Sequence, residues 1–133
     1  MNMNVGPELV RLLFNYSQNE FFNEDFDEIE VSQEELGSLG DLGYSICDKF
    51  KETQKYLDFA QKRGFTDIDV GGFVVEFNTG NFAKVIVDVT LFKTYSETSE
   101  AMLLVSIDEN GSICSIEFRN QFSKHELYFV LSF

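Results

Sequence analysis

Hydrophobic positions follow two different periods along this chain. In the first half they recur every three to four residues, and after Gly64 they recur every second residue. Leu9, Val10, Leu13 and Phe14 make one apolar face behind Gly6-Pro7. Proline suits a first helical position because that N–H has no partner in any case. This pattern predicts a helix from Gly6-Pro7 to about Phe22, followed by an acidic loop from Asn23 to Val31. Ser32-Gln33-Glu34-Glu35 then reads as a capping box, in which Ser32 and Glu35 satisfy each other's backbone N–H groups. Gly37, Gly40 and Gly43 follow closely. Glycine at that density weakens a helix, so the expectation is a short piece, a bend, and a longer helix from about Asp41 or Tyr44. Leu42, Ile46, Phe50, Leu57 and Ala60 line its apolar side, and Lys62-Arg63-Gly64 is its C-terminal signal.

Beyond Gly64 the alternation predicts strands over Phe73 to Asn78 and Phe82 to Phe92, with a turn at Thr79-Gly80-Asn81. On the second of these, Ala83, Val85, Val87, Val89 and Leu91 face one way and Lys84, Ile86, Asp88 and Thr90 the other. A polar loop over Thr94 to Ser99 leads to a strand over Glu100 to Ile107. Asp108-Glu109-Asn110-Gly111 marks a hairpin turn into a strand over Ser112 to Phe118. Leu127, Phe129, Leu131 and Phe133 alternate as a fifth strand. No helical pattern separates the strands, so they pair antiparallel. The expected fold is α+β: N-terminal helices packed on one face of a curved, mostly antiparallel sheet of about four to five strands. Residues 1–133 read as a single domain, without internal repeats.

Composition narrows the function classes. Hydrophobic residues make up 44% of the 133 positions, enough for a packed core. No apolar run reaches the roughly 20 residues of a membrane-spanning helix. Met1 to Val5 lacks the basic and apolar regions of a secretory signal, and Cys47 and Cys114 are far apart without metal spacing. Together these predict a cytoplasmic protein with reduced thiols.

Charge is the most informative feature. The net charge is −13, and the 37 residues from Leu12 to Asp48 hold ten acidic residues and no lysine or arginine. That sign opposes nucleic acid and anionic membranes as direct partners and favours a basic protein. Phe22 and Phe26 stand among Glu20, Glu24, Asp25, Asp27, Glu28, Glu30, Glu34 and Glu35. Acids that steer and rings that bury are the ingredients of a protein interface. These ten residues are the candidate partner-binding site.

Other chemistry reads weakly. Asn23, Asp25, Asp27 and Glu34 occupy positions 1, 3, 5 and 12 of a calcium loop, but Glu28 stands where the turn wants glycine. The Gly37–Gly43 segment lacks the lysine of a phosphate loop and is strongly acidic. His125, the single histidine, has Cys114 and Ser123 as candidate nucleophiles, and its polar setting reads as a surface turn. Asp67 with Asp69, and Glu76 with Asp88, are carboxylate pairs of a kind expected by chance in so acidic a chain. The expectation is no enzyme, no metal and no cofactor.

Size, acidity and element order together resemble the immunity proteins of bacterial toxin systems, such as those of contact-dependent inhibition. That resemblance implies a cytoplasmic inhibitor that binds a cognate toxin domain, often a nuclease. Helices followed by a curved sheet also resemble the cone-shaped nuclear-transport-factor-like fold, which implies the alternative of a small-ligand-binding or enzymatic domain. The apolar character of Val85, Val87, Val89, Leu103 and Val105 weighs against a polar pocket inside such a cone.

Overall fold

A computed structural model describes Asn4 and residues 33–76, 82–94, 96–121 and 126–133. The expected first helix and acidic loop lie outside these residues. Two helices, α1 (Gln33–Phe50) and α2 (Gln54–Arg63), precede five strands. The strands are β1 (Asp67–Glu76), β2 (Phe82–Thr94), β3 (Glu97–Asp108), β4 (Ile113–Asn120) and β5 (Leu127–Ser132). They form one antiparallel sheet in the order β1-β2-β3-β4-β5. The sheet is not closed. Both helices pack on the same face, so the expected α+β architecture holds.

The alternation read along β2 is the core itself. Val85, Val87, Val89 and Leu91 are fully buried, as are Ala101, Leu103 and Ile107 of β3. The register pairs Val85 with Val105, Val87 with Leu103 and Val89 with Ala101, so one apolar sheet face meets the helices. Leu42, Ile46, Cys47 and Phe50 of α1, with Tyr56 and Ala60 of α2, fill that face.

Phe50 is the joint between the layers. Its ring lies 5.1 Å from Tyr56, 5.1 Å from Phe118 and 5.9 Å from Phe129, measured between centroids. Phe59 and Tyr128 extend this cluster, and the Arg63 guanidinium sits over both rings at 5.0 and 4.9 Å. Such cation–π contacts hold an exposed arginine over apolar surface.

The helix break falls where the sequence reading did not put it. α1 runs without interruption through Gly37, Gly40 and Gly43. Each glycine costs a helix about 1 kcal/mol relative to alanine. Burying Leu42, Ile46 and Phe50 contributes roughly 1.5–3 kcal/mol apiece, which wins. The chain turns instead at Thr53, whose extended backbone caps α2. Its Oγ1 donates to the Phe50 carbonyl at 2.7 Å and accepts from the Tyr56 N–H at 3.4 Å. This one hydroxyl ends α1 and starts α2. At the other end Gly64 closes α2 in the left-handed conformation, as the Lys62-Arg63-Gly64 signal implied.

Strand limits also shift. β1 begins at Asp67 rather than Phe73, because Ile68 and Val70 pair with Leu91 and Val89. A bulge between Val70 and Gly72 breaks the alternation that would have revealed it. The expected polar loop over Thr94 to Ser99 is mostly strand, since Thr98 pairs with Phe92 and Glu97 with Thr94. The Asp108–Gly111 hairpin is present. The Asp108 carboxylate accepts from the N–H groups of Asn110 and Ser112, both at 2.9 Å, and Gly111 takes a φ of 85°.

Phe50→Ala removes the joint. The expected loss is about 3–5 kcal/mol of stability, read from urea unfolding. An unchanged midpoint would show that the helix layer is not held through this ring.

Candidate functional site

The sheet face turned away from the helices carries the polar half of the alternation. The register sets its residues in rows. Asp69 lies beside Thr90 and Glu100; Asp88 beside Met102 and Arg119; Ile86 beside Leu104, Glu117 and Val130. One end of the face is acidic and its middle is apolar. Met102 is only 8% exposed, and Ile86, Leu104 and Val130 are half-buried. Among the described residues, none of Asp69, Asp88 and Glu100 pairs with a cation; ion pairs join Lys51 to Asp48 and Arg119 to Glu117, each at 3.2 Å.

Local chemistry sets the state of these acids. The Thr90 hydroxyl reaches both oxygens of Glu100, at 3.2 and 3.1 Å. Burial lifts the Asp88 carboxyl above its ordinary range, and the Glu100 charge lifts it further. Asp67 and Asp69 occupy the exposed edge, where each accepts from the N–H of the next residue at 2.8 and 2.9 Å. An open cavity of about 590 Å³ is bordered by Thr66, Asp67, Asp69, Phe92, Lys93 and Thr94.

Acids from α1 and β1 act on a common point. Burial pushes the Cys47 thiol up to about 11, and the charges of Asp48, Asp69 and Asp67 add to the rise while Lys51 opposes it. Carboxylates of the helix and of the first strand thus both oppose ionisation of this thiol.

The candidates from sequence sort as follows. Glu20, Phe22, Glu24, Asp25, Phe26, Asp27, Glu28 and Glu30 lie outside the described residues, as do Asn23, Ser123 and His125. Glu34 and Glu35 lie in the first turn of α1. Cys114 is half-buried, and burial together with Asp108 raises its thiol, which disfavours the thiolate a nucleophile needs. Glu76 pairs in register with Lys84 and Asp88 with Gly72, so that carboxylate pair is not assembled. Asp88 lies diagonal to Glu100 instead, with Met102 opposite Asp88 and Thr90 opposite Glu100, an arrangement that only the β2–β3 register discloses. Among the described residues no three histidine, cysteine or acidic side chains are placed to hold a metal ion. No described helix is long and apolar enough to cross a membrane.

Compared with known proteins, the chain matches no protein-family model, no curated protein and no solved structure. The functional reading therefore rests on the chemistry of the surface.

Asp88 has a folded-state affinity for protons above that of the unfolded chain, so its contribution to stability falls as pH rises through its raised titration. Asp88→Asn should raise the urea midpoint at pH 7, with a gain below ~1 kcal/mol because solvent screens a half-buried site, and the gain should vanish in acid. A variant weaker than the unaltered chain at pH 7 would show that Asp88 is favourably placed. For Cys47, burial and a protonated thiol predict that iodoacetamide at pH 8 leaves it unmodified in the folded protein and labels it in urea. Mass spectrometry of digests reads this directly, and rapid native labelling would contradict it.

Proposed function

We propose that this chain is a binding protein that neutralises a basic protein partner, and that the partner is a bacterial toxin domain held by its immunity protein. The observation that carries the reading is the segregation of charge. The stretch from Leu12 to Asp48 contains ten acids and no lysine or arginine. In the described structure the charges of Asp48, Asp69 and Asp67 each add to the rise of the Cys47 thiol. Such a surface presents to a basic cleft what a phosphate backbone would present, and opposed fields speed encounter. Phe22 and Phe26, set among Glu20, Glu24, Asp25, Asp27, Glu28, Glu30, Glu34 and Glu35, supply the apolar anchors of this interface. The reading puts the chain in the cytoplasm, where the free thiols of Cys47 and Cys114 stay reduced.

The second reading, a ligand-binding or enzymatic cone, has less support. The inner sheet face is filled by α1 and α2, with Val85, Val87, Val89 and Leu103 fully buried among apolar neighbours. The cavity lies at the edge of the sheet rather than inside it.

The test begins with affinity capture from the native host at low and then moderate salt, followed by binding kinetics on the retained basic protein. Reversal of Glu24, Asp25, Asp27 and Glu28 to lysine should slow association by about tenfold or more, with dissociation changed less and circular dichroism unchanged. Added salt should slow association of the unaltered chain in the same way. Unchanged affinity in the variant, or a flat salt response, would remove the acidic segment from the mechanism. Assaying the partner for nuclease activity, alone and in complex, tests the toxin assignment.

A further inference from the structure

An open five-stranded sheet has two edges, and each edge offers unpaired backbone groups to any strand that arrives. In an antiparallel strand alternate residues send their N–H and C=O outwards. On β1, Ile68 and Val70 share one parity. Both of their N–H groups are taken by side chains: the Asp67 carboxylate accepts from Ile68 at 2.8 Å and the Asp69 carboxylate from Val70 at 2.9 Å. On β5, the Phe133 N–H donates inwards to the Cys114 carbonyl, so Leu131 and Phe129 also face β4 and Val130 faces outwards. The Val130 carbonyl is taken by the Lys55 ammonium of α2 at 2.9 Å.

We propose that these three side chains are edge guards: Asp67 and Asp69 close two donors in the first half of β1, Lys55 closes an acceptor of β5, and the chain stays monomeric because neither edge accepts a strand from a second copy. The two guards match the groups they cover. A carboxylate only accepts, and it covers N–H groups; an ammonium only donates, and it covers a C=O. The flanking sequence makes such a device necessary. Val70 pairs with Val89, Leu131 with Ile116 and Phe129 with Phe118, so both edge strands are apolar on their inner side and suited to continuing the sheet. A charge at the edge adds a second obstacle, because an identical strand arriving there brings the same charge with it. This inference does not depend on the proposed toxin partner.

The test separates the hydrogen bond from the charge. Asp67→Asn with Asp69→Asn keeps an oxygen that accepts from the next N–H and removes the charge. Asp67→Ala with Asp69→Ala removes both. Each full-length chain is measured by sedimentation equilibrium over a wide concentration range, with circular dichroism as the check of fold. The expected result is a monomer for the unaltered chain and the asparagine variant, and concentration-dependent association, rising to a dimer or beyond, for the alanine variant. Equal association of both variants would assign the barrier to charge and overturn the hydrogen-bond guard. Monomeric behaviour of all three would overturn the proposal, as would a dimer of the unaltered chain. Lys55→Met keeps the apolar stem without the donor. It should also associate, and a fully monomeric Lys55→Met chain would remove β5 from the proposal. Should the alanine variant fail to fold, amide exchange of the unaltered chain decides, because Ile68 and Val70 exchanging at unstructured rates would overturn the guard on β1.

Discussion

The packing of Phe50 on Phe118 is the contact on which the rest of the structure depends. It pins the end of α1 to the sheet, because Phe50 is the last residue of that helix. The turn that follows is built for it: Thr53 ties back to the Phe50 carbonyl while capping α2. α2 then brings Tyr56 and Phe59 into the same aromatic cluster. With fifteen phenylalanines and no tryptophan, the chain makes its helix–sheet joint from stacked and edge-on rings. The phenylalanine rings need no polar partner, and the Tyr128 hydroxyl finds one in the Asn120 amide at 2.7 Å.

Among the described residues few carboxylates sit against a cation, and Asp69, Asp88 and Glu100 share the far face of the sheet. Thr90 steadies Glu100, yet burial and then the Glu100 charge disfavour the ionised form of Asp88. Arrangements that oppose stability while facing solvent are expected where a surface serves association rather than folding. The proposed partner supplies the missing positive charge.

Much of this fold is legible in the sequence. The alternation of Val85, Val87, Val89 and Leu91 announces a strand with one buried face, and Asp108 to Gly111 announces a tight turn. Gly64 announces a helix end. The break at Thr53 is not legible, because local glycine content points elsewhere and tertiary burial overrides it. The start of β1 is hidden by the bulge beside Gly72, which shifts the alternation by one residue. The site is less legible than the fold. Asp67 and Asp69 stand out as a spaced pair, but their role at an edge requires knowing that β1 comes first in the sheet order, with β2 as its neighbour among the described residues. The Asp88–Glu100 pair requires the register between two strands, and nothing local in either strand encodes it.

The sheet order β1-β2-β3-β4-β5 has a kinetic consequence. Every strand pairs with the one before it, so each pairing closes only a short loop. Loop-closure entropy, the main brake on forming a sheet, stays small at every step. The sheet can grow by successive hairpins, without waiting for a distant strand to arrive. A sheet built this way can form as soon as its strands are available, each one docking on the strand made just before it.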